Sequence, residues 1–259
     1  MILLAVVLLT LALADLIAGG LGGEPRSRGR AAAGLAVATV VATAALLAFH
    51  LPAVPLAAAL VVAVGGTASW LAARRFGAGD PWRHPRLAVL ALGSTATAAL
   101  LLSGLWATPD APGWLAAWLA ASPFALAQVT SAPELLLYLA VVLFLSASAN
   151  GAVRAALAVA GTQVEPSQQR LRGGRVIGVL ERWLIFGLAV AGEPTAASLI
   201  ISAKSLLRFP ELSRVARSGS DDARPPTEVD VVTEYFLLGS LLSWVLALAP
   251  ALLFWSGSS

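Results

Sequence analysis

Residues 2–22 read ILLAVVLLTLALADLIAGGLG, and the arginines Arg26, Arg28 and Arg30 follow directly. An apolar run of that length crosses a hydrocarbon core about 30 Å thick as an α-helix. One carboxylate, Asp15, stands inside it. In lipid every backbone N–H and C=O must be paired within the protein, so a span is a helix or part of a closed barrel. Continuous Leu, Val and Ala, without period-2 alternation, select the helix. The run is read as a retained span and not as a cleaved leader, because its basic residues follow the apolar stretch instead of preceding it.

The rest of the chain repeats the pattern. Of 259 residues, 58% are hydrophobic and 12% charged, against about 25% charged in soluble domains. Further apolar helices are expected over about 31–49, 54–73, 87–106, 133–160, 176–191, 194–208 and 231–255. The whole is then an all-α polytopic integral membrane protein of about eight transmembrane helices. The stretch 114–128 is apolar but short. Trp114 and Trp118 lie one turn apart in it, as in an interfacial segment. Helices 176–191 and 194–208 should form a tight hairpin about Gly192-Glu193-Pro194.

Charge sets the orientation. Fourteen of the seventeen Lys and Arg residues fall in the loops after the first, third, fifth and seventh helices, and none in the alternate loops. Positive loops stay cytoplasmic, so the chain is assigned to the cell inner membrane with both termini extracytoplasmic. The same dispersal explains the high pI of 10.2 without a nucleic-acid partner. The organisation read from the sequence is an N-terminal four-helix half (1–110), an extracytoplasmic or interfacial segment (111–132) and a C-terminal four-helix half (133–259) with a polar loop at 209–230. A parallel four-plus-four repeat is suggested by Leu4-Ala5-Val6-Val7-Leu8 with Asp15 and Leu139-Ala140-Val141-Val142-Leu143 with Asn150, an arrangement known in transporters. Leu92-Gly93-Ser94 and Leu238-Gly239-Ser240 add to it, each with a hydroxyl four residues past the glycine, Thr97 and Ser243.

Six ionisable residues fall inside the expected helices: Asp15, Arg154, Glu181, Arg182, Lys204 and Glu234. At about 1.5 Å per residue they lie roughly 5–10 Å from the cytoplasmic helix ends. Three are acids and three are bases. An unpaired charge at the bilayer centre costs about 2.5–3.5 kcal/mol on insertion scales, so a neutral polar cluster opening inward is expected. Lys204 and Arg182 are near enough to the interface to snorkel, and Glu181 and Glu234 can serve as structural partners. Arg154 and Asp15 are the deepest, with a packing ion pair as the alternative to function. Lys204 is the single lysine beside sixteen arginines, and lysine alone of the two has a readily shifted pKa. Gly174 and Gly178 form a GxxxG step, and Ser198, Ser202 and Ser205 line the next helix at helical spacing, both suited to close helix contact.

Three C-terminal pieces carry a resemblance. They are Gly174-Arg175-Val176-Ile177-Gly178-Val179-Leu180-Glu181-Arg182, Ala203-Lys204-Ser205-Leu206-Leu207-Arg208-Phe209 and Thr233-Glu234-Tyr235-Phe236-Leu237-Leu238-Gly239-Ser240. Together they resemble the bacterial membrane proteins catalogued as domain of unknown function 3307, over about 174–255. The resemblance implies shared polar positions at Arg175, Glu181, Arg182, Lys204, Arg208, Glu234 and Tyr235, and no established activity. That family's first helices tend to carry His and Asp pairs; this chain has Asp15 and no intramembrane His, which removes support for a metal or hydrolase role. A shorter run, Gly79-Asp80-Pro81-Trp82-Arg83-His84-Pro85-Arg86, is similar to the Gly-Asp-Pro…His-Pro run of the membrane amide synthase of cobalamin assembly, moved from the first helix to the third. Asp-Pro and His-Pro are equally turn dipeptides of a cytoplasmic loop.

The function expected from these residues is that of a transporter or ligand-binding membrane protein. Lys204, Arg208, Arg175 and Arg182 would hold an anionic small molecule or a lipid phosphate. Glu181, Glu234 and Asp15 would position those donors or carry protons, with Arg154 and Tyr235 as further members of the cluster. The alternatives are an enzyme acting on a lipid head group, with Glu181 or Glu234 as general base, and a non-catalytic assembly subunit in an oligomer or complex. No cysteine and no nucleotide, metalloprotease or serine-hydrolase motif occurs in the chain, so no cofactor and no metal is expected. Membrane lipids are the expected partners.

Overall fold

The computed structural model describes residues 1–20, 27–74, 82–105, 114–123, 131–161, 172–203 and 227–254. At 114, 115, 172–175, 227–233 and 236 it describes the backbone alone. The described residues are helical throughout, apart from an isolated bridge between Arg74 and Trp82. The helices are α1 (Ile2–Gly19), α2 (Arg28–Ala48), α3 (Ala53–Ala72), α4 (Pro85–Leu105), α5 (Trp114–Ala121), α6 (Ala132–Ala147), α7 (Ala149–Ala160), α8 (Arg172–Val190), α9 (Pro194–Ala203) and α10 (Thr227–Ala251), followed by a 3₁₀ turn at Leu252–Phe254.

Among the described residues, five helices are long and apolar enough to cross a membrane: α1 to α4, and the Leu237–Phe254 window in and beyond α10. The pair α6–α7 makes a sixth if its two parts, bent by 54°, count as one span. Hydroxyls within these helices turn back on the preceding turn. Thr10 donates to the Val6 carbonyl, Thr39 to Leu35 and Ser146 to Val142, so each polar group is satisfied without leaving its helix. The eight-span reading is not reproduced by length and composition. Among the described residues α8 holds Arg172, Arg175, Glu181 and Arg182 in 19 residues, and these charges lower its mean hydropathy. The described part of α9 is 10 residues long.

The chain divides into two compact units, Met1–Ala155 and Ala156–Ser259. In the first unit α1 is central, packed against α2, α3, α4 and α6. Its window is 72% buried, against 11% for α4, so the most apolar helix of the chain occupies the middle and its neighbours face outward. Small residues permit this. A Cβ on Gly34 would lie 2.6 Å from the Ala14 carbonyl oxygen, and one on Gly66 would run into the Thr95 side chain. Close backbone approach through small residues is the usual glue of helices in lipid. Gly34→Ala should therefore force α2 off α1 and cost about 1–3 kcal/mol, the range for overpacking. Denaturant titration in mixed micelles reads the loss; a stability equal to wild type would mean that the α1–α2 seam is slack.

The turn between α2 and α3 passes through His50 at φ 51°, where the sequence predicts the break before Pro52. α6 opens with a capping box. Ser131 accepts from the Glu134 N–H, and Glu134 accepts from the Ser131 N–H, which ties down the first turn. Because α6 packs on α1, the unit boundary falls at Ala155; the sequence-based division placed residues 133–155 in the C-terminal half.

In the second unit α8 packs against α10. Ile185, Ala197 and Ala247 form the buried centre, with Leu188, Ile200, Ile201, Trp244 and Leu248 around it. α8 turns into α9 over three residues. Gly192 takes φ 81°, and the Glu193 N–H donates to the Leu188 carbonyl at 2.9 Å. This closes the hairpin about Gly192-Glu193-Pro194, with glycine at the left-handed position that ends a helix.

Candidate functional site

Asp15 is four residues from the end of α1, about 6 Å along the axis, and is fully buried. Its carboxylate is engaged from several sides. The Trp70 indole Nε1–H donates to Oδ1 and Oδ2 at 3.1 and 3.0 Å. Arg74 Nη1 forms an ion pair with Oδ1 at 3.0 Å. Ser148, buried between α6 and α7, lies beside the carboxylate as well. Trp70 and Arg74 are one helical turn apart at the end of α3, so they reach the same face.

The guanidinium of Arg74 is held between two aromatic rings. It stands 4.6 Å from the Trp70 centroid and 5.1 Å from the Trp82 centroid, within the range of cation–π attraction. Trp82 belongs to the connector leading into α4. That connector is fastened at its neck by Ala73, whose carbonyl accepts from the N–H groups of Arg83 and His84 at 3.0 and 3.1 Å. Gly151 on α7 completes the seat, since a Cβ there would collide with Arg74 Nη2. Arg74 is 4% exposed. A charge this dry requires a counter-charge, and Asp15 supplies it. The Asn150 amide nitrogen next to Gly151 is buried without a hydrogen-bond partner among the described residues.

The second unit has its own polar group. Arg182 on α8 is 2% exposed and donates to the Ser243 hydroxyl at 3.2 Å. The neighbouring Glu181 accepts from the Trp244 indole N–H at 3.0 Å. Successive residues of α8 thus grip successive residues of α10, across a packed apolar contact.

The residues expected from sequence to form one cluster are distributed as follows. Asp15 and Arg154 belong to the first unit, and Arg154 is half-buried on α7. Glu181, Arg182, Glu234 and Tyr235 belong to the second. Glu234 is exposed and Tyr235 half-buried. α10 begins at Thr227, four residues before the expected start. Glu234 lies seven residues into this helix, ahead of the apolar Leu237–Phe254 window. Lys204 and Arg208 lie outside the described residues, as does the side chain of Arg175. Whether Glu181 pairs with Lys204 on this hairpin therefore lies outside them too.

The sequence reading missed Arg74, Trp70, Trp82, Ser148 and Gly151. Arg74 was counted among the topology-setting loop arginines, yet its side chain folds back against α1. A signal was present: Trp70 and Arg74 stand at i and i+4 at the end of helix 3, on the same membrane side as Asp15. The fold and these sites define an all-α protein of membrane-spanning type with buried ionisable groups in its bundles. Comparison with protein-family models, with curated proteins and with solved structures gives no match.

Proposed function

We propose that this is a multi-pass protein of the cell inner membrane that transports or binds an anionic small molecule or a lipid phosphate. One observation carries the reading. Arg182 is 2% exposed and directed at Ser243, where a snorkelling arginine would hold its head in water. Ionisable residues kept inside apolar bundles are functional by default, because their burial is costly. In this reading Lys204, Arg208 and Arg175 join Arg182 as donors, while Glu181 and Glu234 position them. Eight crossings are proposed, with α8 and α9 as short inner spans, in a four-plus-four order suggested by the Asp15 and Asn150 registers.

The binding test is a thermal-shift screen of the detergent-solubilised protein against phosphate-bearing lipids and small anions. Wild type should be stabilised by at least one of them. Lys204→Met should stay folded and lose that response, and adding Glu181→Gln should not restore it. Equal responses in wild type and Lys204→Met would defeat the reading.

Orientation has a separate test, made simple by the absence of native cysteine. Single cysteines at Ser27, Ala78, Ser167 or Ser218 should be shielded from an impermeant reagent in intact cells, and cysteines at Ala111 or Ala191 should react. Labelling of Ser218→Cys from outside would reverse the topology.

A further inference from the structure

From Val176 to Val190, α8 is amphipathic in the sense opposite to a helix at a water surface. Val176, Ile177, Leu180, Trp183 and Leu184 are 41–63% exposed, while Arg182 and Glu181 reach inward to Ser243 and Trp244 on α10. No charged side chain on this stretch is exposed. A helix that meets water turns its apolar stripe to the core and its charges outward. A contiguous apolar patch on the outside marks a surface made for a partner other than water.

The register between α8 and α10 says what that partner is. Arg182 meets Ser243, and one turn further along α8 the Phe186 ring meets Phe254, with centroids 5.9 Å apart. The contact advances toward the C-terminus on both helices, so they run in the same direction. Counted from the Arg182–Ser243 contact, Val176 is level with Leu237, Leu180 with Leu241 and Leu184 with Val245. Leu237, Leu241 and Val245 are exposed as well. Their i, i+4, i+8 spacing puts them on one face of the window that is long and apolar enough to cross a membrane. Buried Ser243, Ala247 and Ala251 form its other side.

We propose that the outer face of α8 is a lipid contact, lying in bilayer hydrocarbon as the continuation of the exposed side of α10. The inference rests on the reading of α8 as a crossing and gives it a partner on one side: the seam with α10 is internal, and the opposite face is not. Continuity identifies the occupant. The exposed side of a crossing helix meets acyl chains, and α8 presents apolar side chains at the same three levels. Its charges agree. Arg172 and Arg175 precede Val176 and fall ahead of the window. Arg182 stands about 9 Å past the start of the window at 1.5 Å per residue. It is screened from lipid by its own helix, as charges within membranes face the bundle interior.

The test is a nitroxide scan of the full chain reconstituted in phosphatidylcholine vesicles. Single labels are placed at Ile177→Cys, Leu180→Cys and Leu184→Cys, with Leu241→Cys as the reference on α10. Collision with oxygen, which concentrates in hydrocarbon, is compared with collision with a water-soluble nickel chelate. The oxygen-to-nickel ratio should be as high at Leu180→Cys as at Leu241→Cys, and should rise from Ile177→Cys to Leu184→Cys. Nickel collision at Leu180→Cys and Leu184→Cys would put the face in water. Protection from both reagents would put it against protein, in this chain or a second copy. Either result overturns the proposal, and three positions on one face keep the test alive if a single variant fails to fold. An anion response that persists with α8 exposed to water leaves the binding reading standing, so the two fail separately.

Discussion

Asp15→Asn should destabilise the folded protein by about 3–5 kcal/mol, the range for breaking a buried ion pair from one side. The loss arises at Arg74. Its guanidinium is 4% exposed, cannot shed its proton, and would lose its counter-charge while still lying against the faces of Trp70 and Trp82. Cation–π contact is worth about 0.5–2 kcal/mol, too little to replace the carboxylate. Arg74→Met should cost less. A carboxylate left alone in an apolar site can take up a proton and become neutral, and Trp70 still donates to it. The double variant Asp15→Leu/Arg74→Met removes both charges together and should recover much of the Asp15→Asn loss, because paired burial is often close to neutral against apolar replacement. Denaturant titration of the purified protein in mixed micelles measures all three. Additive losses in the double variant would show that the two side chains do not act as a pair.

Trp70→Ala should cost a similar amount, about 3–5 kcal/mol, for three reasons that a second variant separates. Trp70 is fully buried, its N–H spans both carboxylate oxygens, and its ring lies under Arg74 and 5.0 Å from Trp82. Trp70→Phe keeps an aromatic face and loses the donor. Its cost should be about 1.5–3 kcal/mol, the worth of a hydrogen bond to a charged group. The remainder of the alanine loss belongs to the ring and the cavity it leaves. A neutral Trp70→Phe would mean that the indole N–H is not needed to hold the carboxylate.

The two buried groups were not equally legible. Asp15, Glu181 and Arg182 stand out in sequence because a charge within an apolar run is conspicuous. Their partners do not. Trp70 and Trp244 are apolar residues by any composition count, and each acts through one N–H. Ser243 attracts notice only as part of a Leu-Gly-Ser echo. Arg74 is hidden for another reason: an arginine at a helix end is ordinarily a topology signal, and whether its side chain points to water or back into the bundle depends on a helix 55 or more residues away. Glu234 shows how loosely apolar runs mark helix starts: its helix begins at Thr227, four residues ahead of the expected start.

What the sequence determined by itself is the solvent and the secondary structure. Apolar runs of span length leave the backbone no partner except its own helix, so all-α architecture follows from hydropathy alone. The same argument located α1 to α4 to within a few residues, and the glycine and proline pairs marked the turns. Only the tertiary structure decided which helix is central and which charges meet. In lipid no hydrophobic force distinguishes one Leu-rich face from another. The choice falls to small-residue seams such as Gly34 against Ala14, and to directional polar contacts such as Asp15 with Trp70 and Arg74. Both depend on rotation about the helix axis, and the apolar runs of the sequence do not encode that rotation.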